Sequence, residues 1–221
     1  SGVIMVAHNS VYLSGDASNG GSTSAGLFGA LTVNAAASGL NIRHNIFQNS
    51  ITKTSAPTAR AYAVYSYAAN TVYNAINYND YYVTGTQGVL GYLGSARTTL
   101  TDWQTATAQD ANSRNADPIF TSTTNLHTFA VSVNNLGTPI ALVPDDIDGD
   151  VRSATTPDLG ADEFTPLSDD IGIISILSPG NGCGYTNNET VSIRVRNYGT
   201  DPITSADMYY SVNGGAAVQE V

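Results

Sequence analysis

Short apolar runs separated by small and polar residues recur along the first hundred positions of the chain. Setting Asn9, Asn45 and Asn79 in register aligns VAHNSVYLSG, IRHNIFQNS and INYNDYYVTG, at spacings of 36 and 34 residues. Val6, Ile42 and Ile76 then coincide, as do His8, His44 and Tyr78, and Val11, Phe47 and Tyr81. A second apolar motif follows each first one: AGLFGAL around Phe28, AYAVYSYA around Val64 and GVLGYLG around Leu90. β-branched and aromatic residues dominate and few stretches carry a 3.6-residue period, so each unit predicts several short strands joined by Gly, Ser, Thr and Asn turns. A unit of that size cannot bury its own apolar face, which predicts stacking of neighbouring units as β coils.

In such a stack the aligned asparagines have a physical role. An Asn at the same bend of successive coils can hydrogen-bond to the amides above and below, and Asn tolerates the positive φ that a sharp corner requires. Asn9, Asn45 and Asn79 are therefore expected to form a structural ladder. The aromatic and aliphatic residues two positions on are expected to stack inside, leaving no enclosed cavity and placing any ligand site on an outer face.

After the third unit the pattern breaks. TTLTDWQTATAQD offers a capping-box spacing from Thr101 to Gln104 and predicts a helix of about two turns. NADPIF and LHTFAV add short apolar runs, and DDIDGDVRSATTPDLGADEF closes the region. Together these predict a cap that stops the stack from exposing open edges. From Asp169 onward IGIISILSP, ETVSIRVRNYG and ADMYYSVNGG read as strands. Val191, Ile193 and Val195 alternate with Ser192, Arg194 and Arg196, and Asn213-Gly214 signals a hairpin before AAVQEV. About four strands fall short of the seven or so of a β-sandwich, so this domain is expected to be truncated. The expected organisation is thus a coiled region with its cap over 1–165 and a sandwich-like domain over 169–221.

Composition agrees with an all-β, extracellular reading. The chain has 221 residues, with 8 Lys+Arg against 18 Asp+Glu and a formal net charge of −10, which excludes a basic nucleic-acid binder. The acid is unevenly placed. Residues 1–100 hold two acids against four bases, 101–168 hold ten against two, and 169–221 hold six against two. No run approaches the roughly 18 apolar residues of a membrane span. The first residues contain no initiator Met and no signal-type apolar region, and they open in a strand-like stretch, from which an internal fragment or a processed product is expected.

The stretch from NIRHNIFQNS through YNDYYVTGTQGVLGYLGS, ARTTLTDWQTATAQDANSRNADPIF and DIDGDVRSATTPDLGADEF resembles the C-terminal coils and end cap of right-handed parallel β-helix proteins exported by Bacteroidota. SILSPGNGCGYTNNETVSIRVRNYGTDPI is similar to the Ig-like, cell-adhesion-type modules that follow such helices. The resemblance implies an all-β protein with about three coils, a cap carrying one short helix, and a partial Ig-like sandwich. It also implies a large secreted or cell-surface parent protein, carried by type IX secretion and linked to adhesion or gliding. Expected partners are the secretion machinery, neighbouring domains of the same polypeptide and a glycan or other surface ligand.

Candidate chemistry is sparse. The run Asp145, Asp146, Asp148, Asp150 is the sharpest feature, because clustered carboxylates repel unless a cation or Arg offsets them. As an EF-hand loop it fails, with Val151 at position six and Pro157 at position twelve. A looser Ca²⁺ site from Asp146, Asp148 and Asp150, with Asp158, Asp162 or Glu163 approaching, competes with a turn that is solvated or paired with Arg152, and the turn is preferred. No other cofactor is expected. His8 and His44 read as a surface or turn-packed pair rather than a Zn²⁺ site, which needs three or four ligands. Cys183 reads as a buried thiol or half of a disulfide completed beyond Val221.

β-helices also host polysaccharide lyases and glycoside hydrolases, whose sites need clustered carboxylates on one outer face. Residues 1–100 offer only Asp16 and Asp80, in unlike positions. Asp80 with Tyr81 and Tyr82, read as exposed, could touch a sugar but lacks a partner. An ice-binding Thr array fails because the Thr residues do not recur at one repeat position. The expectation is a non-catalytic structural or adhesive segment. The alternative is the inert end of a lyase or hydrolase whose active site lies in upstream coils.

Overall fold

The computed structural model describes residues 2–18, 27–186 and 188–220. It is mostly strand, with a single α-helix, and divides into two compact units, Ser1–Thr165 and Pro166–Val221. No helix among the described residues is long and apolar enough to cross a membrane.

The first unit is built from three repeats that each supply three strands. These are β1 (Ile4–Ala7), β2 (Ser10–Leu13) and β3 (Leu27–Val33), then β4 (Leu40–Arg43), β5 (Ile46–Asn49) and β6 (Arg60–Ser66), then β7 (Tyr73–Asn77), β8 (Asp80–Val83) and β9 (Gly88–Leu93). Equivalent strands pair in parallel, giving sheets ordered β1-β4-β7, β2-β5-β8 and β3-β6-β9, the last extended by antiparallel β10 (Ser95–Arg97). Val6 pairs with Ile42 and Ile42 with Ile76, while Val11 pairs with Phe47 and Phe47 with Tyr81, the register set by the aligned asparagines. In the third sheet the register differs from the motif centres. Val64 faces Leu31 and Gly91 rather than Phe28 and Leu90, because the pairing holds constant spacings of 33 and 27 residues along β6. The first two residues of AGLFGAL lie outside the described residues.

Ile42, Ile76, Phe47, Tyr81, Val64 and Leu90 bring side chains from all three sheets into one core, with the Phe47 and Tyr81 rings stacked 6.1 Å apart. The helix α1 (Leu100–Thr107) drives Trp103 into this core against Gly91. Its capping box is formed by Thr99 and Asp102, two residues before the Thr101–Gln104 pair expected, because Thr99 holds the extended conformation that lets its hydroxyl accept the Asp102 N–H. Residues 109–114 then cover the backbone edge of the third repeat. Asp110 N–H donates to the Ile76 carbonyl (3.0 Å), Arg114 N–H to that of Asn79 (2.7 Å) and Tyr81 N–H to that of Arg114 (3.0 Å).

The rest of the expected cap does not stay at that end. Residues 117–164 run back along the unit as an irregular strap and bury Ile46 with Ala130, Val133 and Leu159. The strap reaches the first repeat, where Ala161 N–H donates to Ser10 Oγ (2.9 Å) and Phe120 lies 6.1 Å from Tyr12. Its apolar side chains have an outward-facing β2-β5-β8 surface to cover, and covering it removes that surface from water.

The second unit holds two hairpins, β11 (Ile171–Ser178) with β12 (Ser192–Asn197) and β13 (Met208–Tyr210) with β14 (Val218–Glu220). Asn213 and Gly214 both take positive φ, the conformation expected of that turn, within a longer loop. None of its described residues is buried, and Ile173, Ile176 and Val191 are well exposed.

Candidate functional site

Two constellations in the first unit carry the chemistry, one at the bends of the repeats and one in the acidic strap. At the bends the three asparagines stand one above another. Asn9 donates its N–H (3.0 Å) and its Nδ2 (2.8 Å) to Asn45 Oδ1, and Asn45 repeats both bonds to Asn79 Oδ1 at 3.1 and 2.9 Å. Asn45 Nδ2 also reaches the Val6 and Arg43 carbonyls, both at 2.9 Å. The column continues to Ser113, whose Oγ accepts the Asn79 N–H at 2.8 Å. Sequence reasoning missed Ser113, although it lies at the same 34-residue spacing that separates Asn45 from Asn79.

The positive φ of each bend is taken by the residue before the Asn, at His8 (φ 53°), His44 (φ 59°) and Tyr78 (φ 58°). Asn at the next position keeps an ordinary φ and supplies the amide instead. The His8 and His44 rings stack at 4.8 Å and the His44 and Tyr78 rings at 5.3 Å. Both histidines are buried under the strap, where the Thr138 N–H donates to His44 Nε2 at 3.0 Å. Burial, with a smaller contribution from Arg152, holds His8 down to about 3; burial, with Arg43, holds His44 down to about 4. A buried, stacked pair of neutral rings is a packing element rather than a metal pair.

Asp80 and Tyr81 are likewise fully buried and Tyr82 is half-buried, so this group does not form an exposed sugar-contacting surface. The Tyr81 ring points into the core, and the segment that follows α1 covers Asp80, which bridges to Arg114 and whose Oδ1 accepts the Ala116 N–H at 2.9 Å. Desolvation pushes Asp80 up to about 7. Asp110, also buried, accepts from Tyr81 Oη and Trp103 Nε1, each at 2.6 Å, and from Ser113 Oγ. Cys183 is exposed, in a loop between hairpin strands that offers no core to bury it.

In the strap most carboxylates take backbone N–H groups, tying the loop to itself. Asp146 Oδ1 accepts from Asp148 (2.9 Å) and Asp150 (2.8 Å), and its Oδ2 accepts from Glu163 (2.9 Å). Partial burial works against ionisation there, and these three bonds hold the Asp146 carboxyl below its ordinary range. Asp158 accepts the Asn135 and Phe164 N–H groups at 2.5 and 2.8 Å. Arg152 Nη2 donates to the Gly160 and Ala161 carbonyls, and Nη1 lies 3.5 Å from Glu163.

Of Asp146, Asp148 and Asp150, only Asp148 joins a group whose ligand atoms converge. Among the described residues, His127, Asp148 and Asp162 place one ligand atom each within 4.8 Å of one another. His127 Nε2 lies 2.6 Å from Asp148 Oδ2, and Asp162 is buried with its Oδ2 accepting the Thr128 N–H at 3.3 Å. Sequence reasoning had Asp162 approaching the acidic run but missed His127, which the chain order separates from Asp148 by 21 residues. No family model, curated protein or solved structure matches the chain.

Proposed function

We propose that residues 1–165 are the C-terminal coils and end of a right-handed parallel β-helix, followed by part of an Ig-like module. In this reading the chain is a non-catalytic stalk or adhesive segment of a large exported surface protein, with type IX secretion as its route and cell-surface glycans as its ligand class. The observation that carries the reading is the one-strand-per-repeat pairing of all three sheets around a bonded Asn column. A coiled architecture of this kind presents long outer faces that suit contact with an extended partner. The buried acids Asp80, Asp110 and Asp158 support a structural role, since each binds backbone or core donors.

The test is a glycan array probed with the purified chain, run beside an assay for unsaturated uronate release from the same polysaccharides. Binding without product release is expected. Turnover by the chain itself, or no binding to any surface glycan or bacterial surface, overturns the reading.

A further inference from the structure

The His127, Asp148 and Asp162 group contains a contact that needs a positive charge. Asn125 Oδ1 accepts the His127 backbone N–H at 3.1 Å, which identifies it as the amide oxygen, and the same oxygen lies against His127 Nδ1. Nδ1 therefore carries a ring proton, and Nε2 faces Asp148 Oδ2 at 2.6 Å, where the ring holds either a second proton shared with the carboxylate or, as a neutral imidazole, a lone pair open to a cation. Two acceptors at that separation repel unless a proton or a cation lies between them. Asp162 adds a third oxygen from a side chain only 7% exposed, with one long backbone N–H as its partner. Asp146 adds negative charge nearby, and Arg152 is held by Glu163 and two carbonyls.

We propose that His127 Nε2, Asp148 and Asp162 bind a divalent transition-metal ion, with Zn²⁺ the best fit, and that the ion cross-links the acidic loop to the rest of the strap. An imidazole nitrogen with two carboxylates suits Zn²⁺ better than Ca²⁺, which takes six to eight oxygen ligands. Zn–N and Zn–O bonds of about 2.0–2.2 Å put ligand atoms roughly 3.3 Å apart, so the spread of 2.6 to 4.8 Å closes with movements of about 1 Å. The exposed Asp148 side chain has that freedom. Water completes the coordination. Asn125 is the positioning residue that fixes the proton of the neutral ring on Nδ1 and turns Nε2 toward the ion, the role an outer partner plays for metal-bound histidine. The site does not depend on the adhesive reading, because its test reads metal binding alone.

The experiment uses the full chain carrying Cys183→Ser, which removes the exposed thiol as a competing ligand. After chelator treatment and desalting, Zn²⁺ is titrated by calorimetry, and thermal melting is followed with and without the ion. Binding of one Zn²⁺ per chain with a raised melting temperature is expected, with Ca²⁺ at the same concentration failing to compete. His127→Ala and Asp148→Asn are expected to weaken binding at least tenfold, and Asn125→Ala roughly 10- to 100-fold. Asp150→Asn, on the same loop outside the group, is expected to bind normally and serves as the folding control. No heat and no melting shift, equal binding by the His127 variant, or a preference for Ca²⁺ overturns the proposal.

Discussion

Asn45 is the residue on which the bends depend most. Its buried amide accepts two bonds from Asn9 and offers its two protons to three oxygens, the Val6 and Arg43 carbonyls and Asn79 Oδ1. Replacing it leaves those groups unpaired away from water. Asn45→Ala is therefore expected to lower stability by about 3 kcal/mol in urea denaturation. Asn45→Asp is expected to cost at least as much, since it turns a carboxylate toward those three oxygens. A second residue-scale effect concerns acid. His8 is held near 3 when folded against an ordinary 6.5, so folding favours the neutral ring. Its contribution is fully present above about pH 6.5 and is lost as the pH falls from there toward 3. His8→Asn keeps a side chain that tolerates positive φ but cannot titrate. Melting temperatures measured from pH 7.5 to pH 4 are expected to fall less steeply in this variant than in the parent.

At the scale of elements, the junction of α1 with β9 decides how the third repeat is closed. Trp103 packs against Gly91, where an added Cβ would lie 2.7 Å from Trp103 Cε3 and 3.2 Å from Val64 Cγ1. Trp103 cannot withdraw freely, because its Nε1 is bonded to Asp110, which also binds Tyr81 and Ser113. Gly91→Ala is expected to destabilise the first unit by about 2 kcal/mol through this overpacking. Trp103 is the single tryptophan of the chain, so its fluorescence reports the unfolding directly. An unchanged midpoint with an unchanged emission maximum would show that the helix can shift without cost.

Across the whole molecule, the two units differ in what holds them. The first has an apolar core, a bonded Asn column and a strap that binds back to the first repeat. The second has paired strands and no buried residue among those described. The pairings of Val6, Ile42 and Ile76 and of Val11, Phe47 and Tyr81 were legible in the chain, because a repeated side-chain pattern encodes its own register. The third-sheet register was not, since its spacings of 33 and 27 residues differ from the 36 and 34 that separate the asparagines. The candidate site was legible only in part. The acidic run drew attention to Asp148, but its neighbour Asp146 spends its carboxylate on backbone N–H groups, and the partner of Asp148 in space is His127.

The sequence by itself determined the strand content, the repeat spacing, the column of asparagines and the change of rhythm near residue 169. These follow from local periodicity and from bends that recur at a fixed interval, which need no knowledge of distant contacts. Tertiary structure alone decided where the strap goes. Its path buries the His8–His44 pair, read from the chain as surface or turn-packed, and it sets His127 beside Asp148 and Asp162. The physical reason is that an irregular segment has no period of its own. Its route is chosen by the apolar surface it can cover and by the backbone groups it can satisfy, and both belong to the folded repeats beneath it.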